Sequence, residues 1–400
     1  MDDTAVVIRR ILDDRLNRVV FREVPEACLV GGFIRDAFLG GVSGDRDFAV
    51  KGDPEEIARR IKGFVGGTIV KLKDGATVRI ALGGGMSLDF SRYSGGISDD
   101  LLRRDFTINA IAFSVETGLH DPLGGVRDLK RRCIRMIREE NLVDDPVRML
   151  RAYRFVGELD GYVDAETRSA IKRHKGLLER SAPERITLEF FKLLQSRACP
   201  RALKEAFEVS VDRAIVPLKN KELNAVMQKM VEVIRNLEEA PEDFRRRLDR
   251  EVSQGLTLRG LVLLDVLLGG VAVESTRLRL SGRLMRRVAR FRGCREDVLG
   301  REGVDDGDLF DCFEALGCSV PEAVLVQGRP DLYEKARRYL AVSDRPLLNG
   351  EDVRRLAPGV EGPEVGRLLY EAKKAQFAGR IRSREEAAAF LRRLSGAEPP

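Results

Sequence analysis

The chain is poor in the residues that build metal clusters and cross-links. It holds two histidines, His120 and His174, and six cysteines, at 28, 133, 199, 294, 312 and 318. No Cys-x-x-Cys pair occurs, and zinc sites want Cys and His gathered at short spacing, so the pattern speaks against zinc. A disulfide framework needs denser cysteines and an oxidising compartment, so none is expected. Long apolar runs are missing too. The longest, Leu261 to Val273, is broken by Asp265, Gly269 and Gly270, and a membrane helix needs about 18 apolar residues in a row. The N-terminus is acidic and then amphipathic, without the basic lead and apolar core of a signal peptide. The expectation is a cytoplasmic protein that does not enter a membrane.

What is present is ordinary in bulk. The 400 residues are 43% hydrophobic and 34% charged, enough to bury the cores of two or more domains. The net charge of +6 and pI near 9.0 point weakly to a nucleic-acid partner. The distribution of charge is more informative. Eight arginines and no acidic residue lie between Arg277 and Arg295. Such a run is either a solvated helix face or a surface for a polyanion.

The first ~140 residues read as mixed α/β. Residues 1–25 form a helical lead-in. Ala27 to Val30 is a short apolar run ending in Gly31-Gly32, followed by a helical pattern from Phe33 to Leu39: strand, tight turn, helix. Asp47 to Val50 is a second strand. Pro54 to Ile61 is a helix with Asp53 as its N-cap. Thr68–Leu72, Thr77–Ala81 and Met86–Phe90 form a meander, separated by turns at Asp74-Gly75 and Gly83-Gly84-Gly85. A further strand falls within Ile108 to Ser114. After Asp144, Pro and Gly thin out and helical periodicity runs to the end. Breaks fall near Pro200, Pro217, Gly255, Gly293 and Pro346, and the last residues, 396–400, are expected to be disordered.

Several clusters carry chemistry. Asp45 and Asp47 are two apart on a strand, so both side chains leave the same face. Two carboxylates placed so can share a pair of divalent ions about 4 Å apart, activating a 3′-hydroxyl and steadying a pyrophosphate. Carboxylates with phosphate oxygens suit magnesium, a hard cation. Alone, the pair also fits a polar turn before a strand. Gly31 and Gly32 stand upstream at a strand-to-helix turn, where a backbone can approach a phosphate, and Arg35 is one helical turn on, ready to clamp it. Asp89 is either a third carboxylate of the site or a strand-end residue paired with Arg92. Arg103 to Ala110 mixes charges with apolar residues expected to be buried, and buried charges need partners. Asp145 fits an N-cap with Pro146 at the first helical position, and Arg148, Arg151 and Arg154 then recur every three residues along one side. Three arginines in line invite a polyanion.

Taken in order, LVGGFIRDAFLG (29–40), GDRDFAV (44–50), RRDFTINAIAF (103–113), DPLGGVRDLKRRCIR (121–135) and DDPVRMLRAYRF (144–155) resemble the class II tRNA nucleotidyltransferase and poly(A) polymerase family of the DNA polymerase β superfamily. The likeness is strong over about 27–195. It is weaker over 348–387, which looks like the family's C-terminal helical tail. SAPERITLEFFKLL (181–194) looks like its helical body. The resemblance implies an α+β fold: an N-terminal mixed α/β nucleotidyltransferase head over 1–140, a helical neck over 141–200, an RNA-binding body over 201–330 and a tail over 331–400, the last three all helical. It implies that Asp45 and Asp47 bind metal, with Mg2+ as cofactor. Gly32, Arg35 and Arg104 match nucleotide-contacting positions, and Arg151 and Arg154 match further ones. Asp145 and Arg148 match an amino-acid template that reads the base of CTP or ATP.

That template has a physical basis. A carboxylate accepts the amino hydrogen of C or A, and a guanidinium donates to the acceptor beside it. U and G present an oxygen where Asp145 presents one too, so both are rejected.

Two departures stand out. Many members open the last motif with Glu-Asp, and here it is Asp144-Asp145. The stretch after Arg92 (YSGGISD, 93–99) is very short, whereas members that add the full CCA carry a longer flexible loop linked to the switch from CTP to ATP. The short loop resembles members that add only CC. An HD phosphohydrolase domain, present in some bacterial relatives, needs more histidines than this chain has. A tRNA partner also gives the arginines of 277–295 a role in phosphate contact. The expectation is a tRNA nucleotidyltransferase adding CCA, or CC alone, to the 3′ end. A poly(A) polymerase acting on mRNA, a non-catalytic RNA-binding protein and a nucleotide-sensing regulator are the alternatives.

Overall fold

The computed structural model describes residues 3–396 apart from 42, 73–75, 210, 212–214, 219, 270 and 294–297. The turn at Asp74-Gly75, Gly270, Cys294, Arg295 and the last four residues lie outside the described residues, as do the side chains of Arg290 and Arg292. Two compact units divide the chain, Met1–Pro217 and Leu218–Pro400.

The first unit opens with helices α1 (Asp3–Asp13) and α2 (Arg15–Glu23). Then come β1 (Cys28–Val30), α3 (Gly32–Phe38), β2 (Asp45–Val50), α4 (Pro54–Val65), β3 (Thr68–Lys71), β4 (Thr77–Ala81), β5 (Ser87–Arg92), α5 (Ile97–Leu102), β6 (Ala112–Ser114) and β7 (Gly118–His120). As the sequence indicates, Asp53 caps α4, its carboxylate accepting from the Glu55 amide with Pro54 in the first turn. The helix continues past Ile61 and stops at Gly66, which adopts φ 75°.

One sheet holds all seven strands in the order β3-β4-β5-β2-β1-β6-β7. Only β2 and β5 run parallel; the crossover between them is α4 with the β3–β4 hairpin. Successive side chains on β2 leave opposite faces. Phe48 and Val50 enter an apolar core with Leu29, Leu88, Phe90 and residues of α1, α2 and α4. Phe48 and Phe90 stack with centroids 5.7 Å apart. Full burial of each such ring is worth about 1.5–3 kcal/mol. Ala49 turns to the other face, against Val30, Ala110 and Ala112. Asp45 and Asp47 share that second face, and apolar pressure on Phe48 and Val50 is what fixes them there.

The rest of the first unit is mostly helical: α6 (Gly125–Lys130), β8 (Cys133–Ile134), α7 (Glu139–Asp144), α8 (Val147–Leu159), β9 (Tyr162–Val163), α9 (Ala165–His174), α10 (Pro183–Leu194) and α11 (Cys199–Glu208). Met149, Leu150, Ala152, Phe155 and Val156 of α8 are buried, and α8 packs on α10 and α11.

The second unit carries α12 (Asn220–Glu239), α13 (Glu242–Leu248), a small hairpin of β10 (Glu251–Ser253) and β11 (Leu256–Thr257), then α14 (Leu258–Leu268), α15 (Gly282–Gly293), α16 (Asp306–Leu316), α17 (Val320–Gln327), α18 (Tyr333–Asp344), α19 (Gly350–Leu356), α20 (Pro363–Phe377) and α21 (Arg384–Ser395). The fold is the expected α+β arrangement, a mixed head and a mostly helical remainder. The short β8–β9 ladder and the β10–β11 hairpin punctuate the helical part. Among the described residues no helix is long and apolar enough to cross a membrane.

Candidate active site

A cleft of ≈ 540 Å³ opens on the second face of the sheet, lined by residues of the first unit alone. Ten of the sequence-selected residues meet there: Gly31, Gly32, Arg35, Asp45, Asp47, Arg104, Asp145, Arg148, Arg151 and Arg154. They come from β1–α3, β2, the segment after α5, and α7–α8.

Asp45 lies opposite Ser87 in the parallel β2–β5 register, and the Ser87 hydroxyl donates to its Oδ1 at 2.8 Å. Asp47 lies opposite Asp89 in the same register. Burial, foremost, pushes the Asp47 carboxyl above its ordinary range; Asp89 and Asp45 add to that push, while Arg104 and Arg79 oppose it. Among the described residues no side chain hydrogen-bonds to Asp47. Asp47, buried beside a second carboxylate on the same face, is a group whose charge a divalent cation would offset, so the pair fits a metal-binding role.

Asp89 does not line the cleft. Arg79, its cross-strand neighbour on β4, grips it through Nε and Nη2, both at 2.7 Å. Its partner is therefore Arg79, not Arg92: the antiparallel register sets Arg79 directly across from it, whereas Arg92 lies three positions along its own strand, on the opposite face.

The glycine turn is sterically tight. Gly31 has φ 77°, and a Cβ there would stand 2.7 Å from Arg104 Nη1. Only glycine allows Arg104 to lie across the turn, where Asp100 receives its Nε and Nη2 at 3.2 and 3.1 Å. Arg35 donates to Asn109 Oδ1 at 2.7 Å and pairs with Asp36 at 2.8 Å.

The segment read as a packed polar site is one. Asp105 is 6% exposed. It receives Arg151 Nη2 at 2.7 Å, Asn109 Nδ2 at 2.9 Å and the Phe106 amide at 2.8 Å. Burial raises its carboxyl, but the Arg151 charge and these donors outweigh burial and hold it below the usual range. Arg154, buried on α8, meets Glu189 at 2.9 Å and Glu158 at 3.3 Å. The acids that balance α8 thus come mainly from other elements, and this is why its own sequence looks unbalanced.

Asp145 departs from its expected capping role. Pro146 occupies the N-cap position of α8 with no side-chain cap, and Asp145 closes α7. Its Oδ2 receives Arg185 Nη2 at 2.8 Å, and its Oδ1 is buried without a hydrogen-bond partner. Arg148 is held by the carbonyls of Arg103 and Asn141 at 2.9 and 3.3 Å, with its Nε 3.8 Å from Asp145 Oδ2.

Sequence reasoning missed Ser87, Arg79, Arg185, Glu189 and Lys192. A signal existed for the last three. Positions 185, 189 and 192 fall on one helical face, and Glu189 sits beside Phe190 and Phe191, where a buried charge demands a partner.

Comparison with known proteins bears on this arrangement. The poly A polymerase head domain matches residues 27–135, and a probable RNA- and SrmB-binding site of polymerase A matches 162–223. A CC-adding tRNA nucleotidyltransferase of Geobacter sulfurreducens is 34% identical over 93% of this chain and 93% of that protein. The chain belongs to the tRNA nucleotidyltransferase and poly(A) polymerase family. Another CC-adding tRNA nucleotidyltransferase of this family, from Synechocystis, is 31% identical over 92% of the chain and 94% of its own length. An A-adding tRNA nucleotidyltransferase of Deinococcus radiodurans is 29% identical over 94% and 97%. The fold is that of the Thermotoga maritima CCA-adding enzyme solved with tRNA, with TM-score 0.74 and 24% identity over 99% of both chains. As a member of the family this chain is an enzyme, a nucleotidyltransferase, and a divalent metal ion is the family's general cofactor.

Proposed function

We propose that this enzyme adds two C residues from CTP to the 3′ end of tRNA and leaves the terminal A to another protein. One observation carries this reading. Only Tyr93 to Gly96 separate β5 from α5, and this link has no slack. Tyr93 is buried, its amide bonds the Val50 carbonyl at 3.1 Å, and the Gly96 amide bonds Asp99 at 3.0 Å. A tied four-residue link leaves no loop to remodel the cleft between one nucleotide and the next. Two CC-adding relatives aligned along more than nine-tenths of the chain support the same choice.

The geometry supports the following roles. Asp45 and Asp47 would hold the metal, with magnesium as the ion and Ser87 steadying Asp45. Once bound there, two such ions supply a lowered pKa at the attacking 3′-hydroxyl and charge neutralisation at the leaving pyrophosphate. Gly31 and Gly32 admit the phosphates, and Arg35, Arg104, Arg151 and Arg154 hold the nucleotide. Asp145 would accept from the amino group of the base while Arg148 donates beside it, so C and A fit and U and G do not. Asp89 stands beside Asp47 on the neighbouring strand, with Arg79 as its counter-charge. The head (1–140) and neck (141–200) then form the catalytic part, body (201–330) and tail (331–400) the RNA-holding part, and the cytoplasm is the compartment.

The test is incorporation into tRNA lacking its 3′ CCA, with CTP alone, ATP alone and both, read by product length. Arrest after two C residues with both nucleotides present is the expected result. Three residues ending in A would replace CC addition by full CCA addition. A long A tail from ATP alone would make it a poly(A) polymerase, and silence from a folded protein would leave an RNA binder.

A further inference from the structure

Phe155 is fully buried on α8, yet three cleft arginines converge on its ring. The guanidinium carbons of Arg35, Arg151 and Arg154 lie 4.9, 5.5 and 4.3 Å from its centroid. Phe106 holds the ring edge-on at 5.8 Å and 83°. Arg35 arrives from α3, far away in sequence; the other two share α8 with the ring. Three cations packed this closely repel one another unless something offsets the charge. Each is tied at its polar end: Arg35 by Asn109 and Asp36, Arg151 by Asp105, Arg154 by Glu189 and Glu158. The ring supplies what these acids do not, π-electron density within reach of all three that also fixes the stems.

We propose that Phe155 is a positioning residue for the triphosphate of the incoming nucleotide, its ring the common platform from which Arg35, Arg151 and Arg154 reach the cleft. This rests on the nucleotidyltransferase reading above. A triphosphate needs several guanidiniums at fixed spacing, and a shared aromatic platform sets that spacing before the ligand arrives. The aromatic ring couples the phosphate end of the cleft, on α3, to the base-reading helix α8.

The discriminating variant is Phe155→Leu, which keeps apolar bulk and removes the ring. Its KM for CTP, and its Kd for inorganic tripolyphosphate measured by calorimetry, should each rise about tenfold. KM for tRNA should stay unchanged and kcat should stay within about twofold. Phe155→Met, which refills the space with a flexible thioether, carries the same expectations should the Leu variant fail to fold. Arg35→Lys keeps the charge but loses the planar stack, and combining it with Phe155→Leu should cost less than the sum of the two. A folded ring-less variant with wild-type tripolyphosphate affinity overturns the proposal. So does a parallel rise in KM for CTP and tRNA, and so does full additivity. A wild-type protein that binds no CTP overturns the nucleotidyltransferase reading itself, whereas a wild type that incorporates CTP beside an equally active Leu variant overturns only the platform.

Discussion

At the scale of single residues, the site depends on charges whose partners sit far away in the sequence. Asp105 is the clearest case, enclosed by Arg151, Asn109 and its own neighbour's amide. Asp105→Asn keeps the shape but strips Arg151 of its closest counter-charge, and should cost on the order of 2 kcal/mol in denaturant unfolding. The sign of the pH dependence follows from the direction of the shift. The Asp105 carboxyl is lowered from 3.8 in the folded state. Its contribution is therefore complete above that value and is lost as pH falls through the lowered one. The stability gap between wild type and Asp105→Asn should be constant near neutrality and narrow in acid. Residues of this kind are where the sequence was hardest to interpret. Asp45, Asp47, Gly31 and Arg35 were legible because their spacing on a strand or at a turn is itself the message. Asp105 and Asn109 were legible only as a mixture of charge and apolar residues, because their partners, Arg151 on α8 and Arg35 on α3, lie dozens of residues away and no local period reports them.

At the scale of elements, β2 is decided on both of its faces. While Asp45 and Asp47 face the cleft, Arg46 points back and is 4% exposed. It bonds Asp14 through Nε at 3.1 Å and Nη2 at 2.7 Å, and lies over Phe33 at 4.9 Å. Asp14 also caps α2 by accepting from the Asn17 amide. One carboxylate thus joins the α1–α2 corner to the strand that bears the candidate metal ligands. Arg46→Met should lower stability by about 1–3 kcal/mol, because Asp14 loses a buried partner. The concentration of divalent ion needed for half-maximal activity should rise as well, measured by titrating magnesium at saturating CTP. Most strands and helices of this half were legible from period and punctuation. The Asp145 cap was misjudged because an Asp-Pro pair reads as N-cap and first turn, while here α7 runs straight into α8 and the proline takes the capping position itself.

At the scale of the whole molecule, the cleft is lined by the first unit alone, and the second unit carries the arginine-rich stretch. Arg279, Arg283 and Arg286 are exposed there. Arg287 is not available to a partner, since it pairs with Glu322, which is 1% exposed on α17. The run of eight arginines therefore overstates the surface charge on offer, a point no count of charges could reveal. Replacing Arg279, Arg283 or Arg286 by Gln should weaken tRNA binding without altering CTP affinity. Each loss should reduce the slope of log affinity against log salt by about 1, read from binding isotherms at several ionic strengths; Arg287→Gln should instead act on stability.

The lip of the cleft has a practical consequence. Leu188 lines it from α10 and stands 47% exposed, an apolar side chain among cations. The chain contains no tryptophan at all, so its near-ultraviolet emission comes from tyrosine alone. A Leu188→Trp substitution would place the molecule's sole indole at the entrance to the site. The occupancy of the cleft could then be followed as light, in real time and against a dark background.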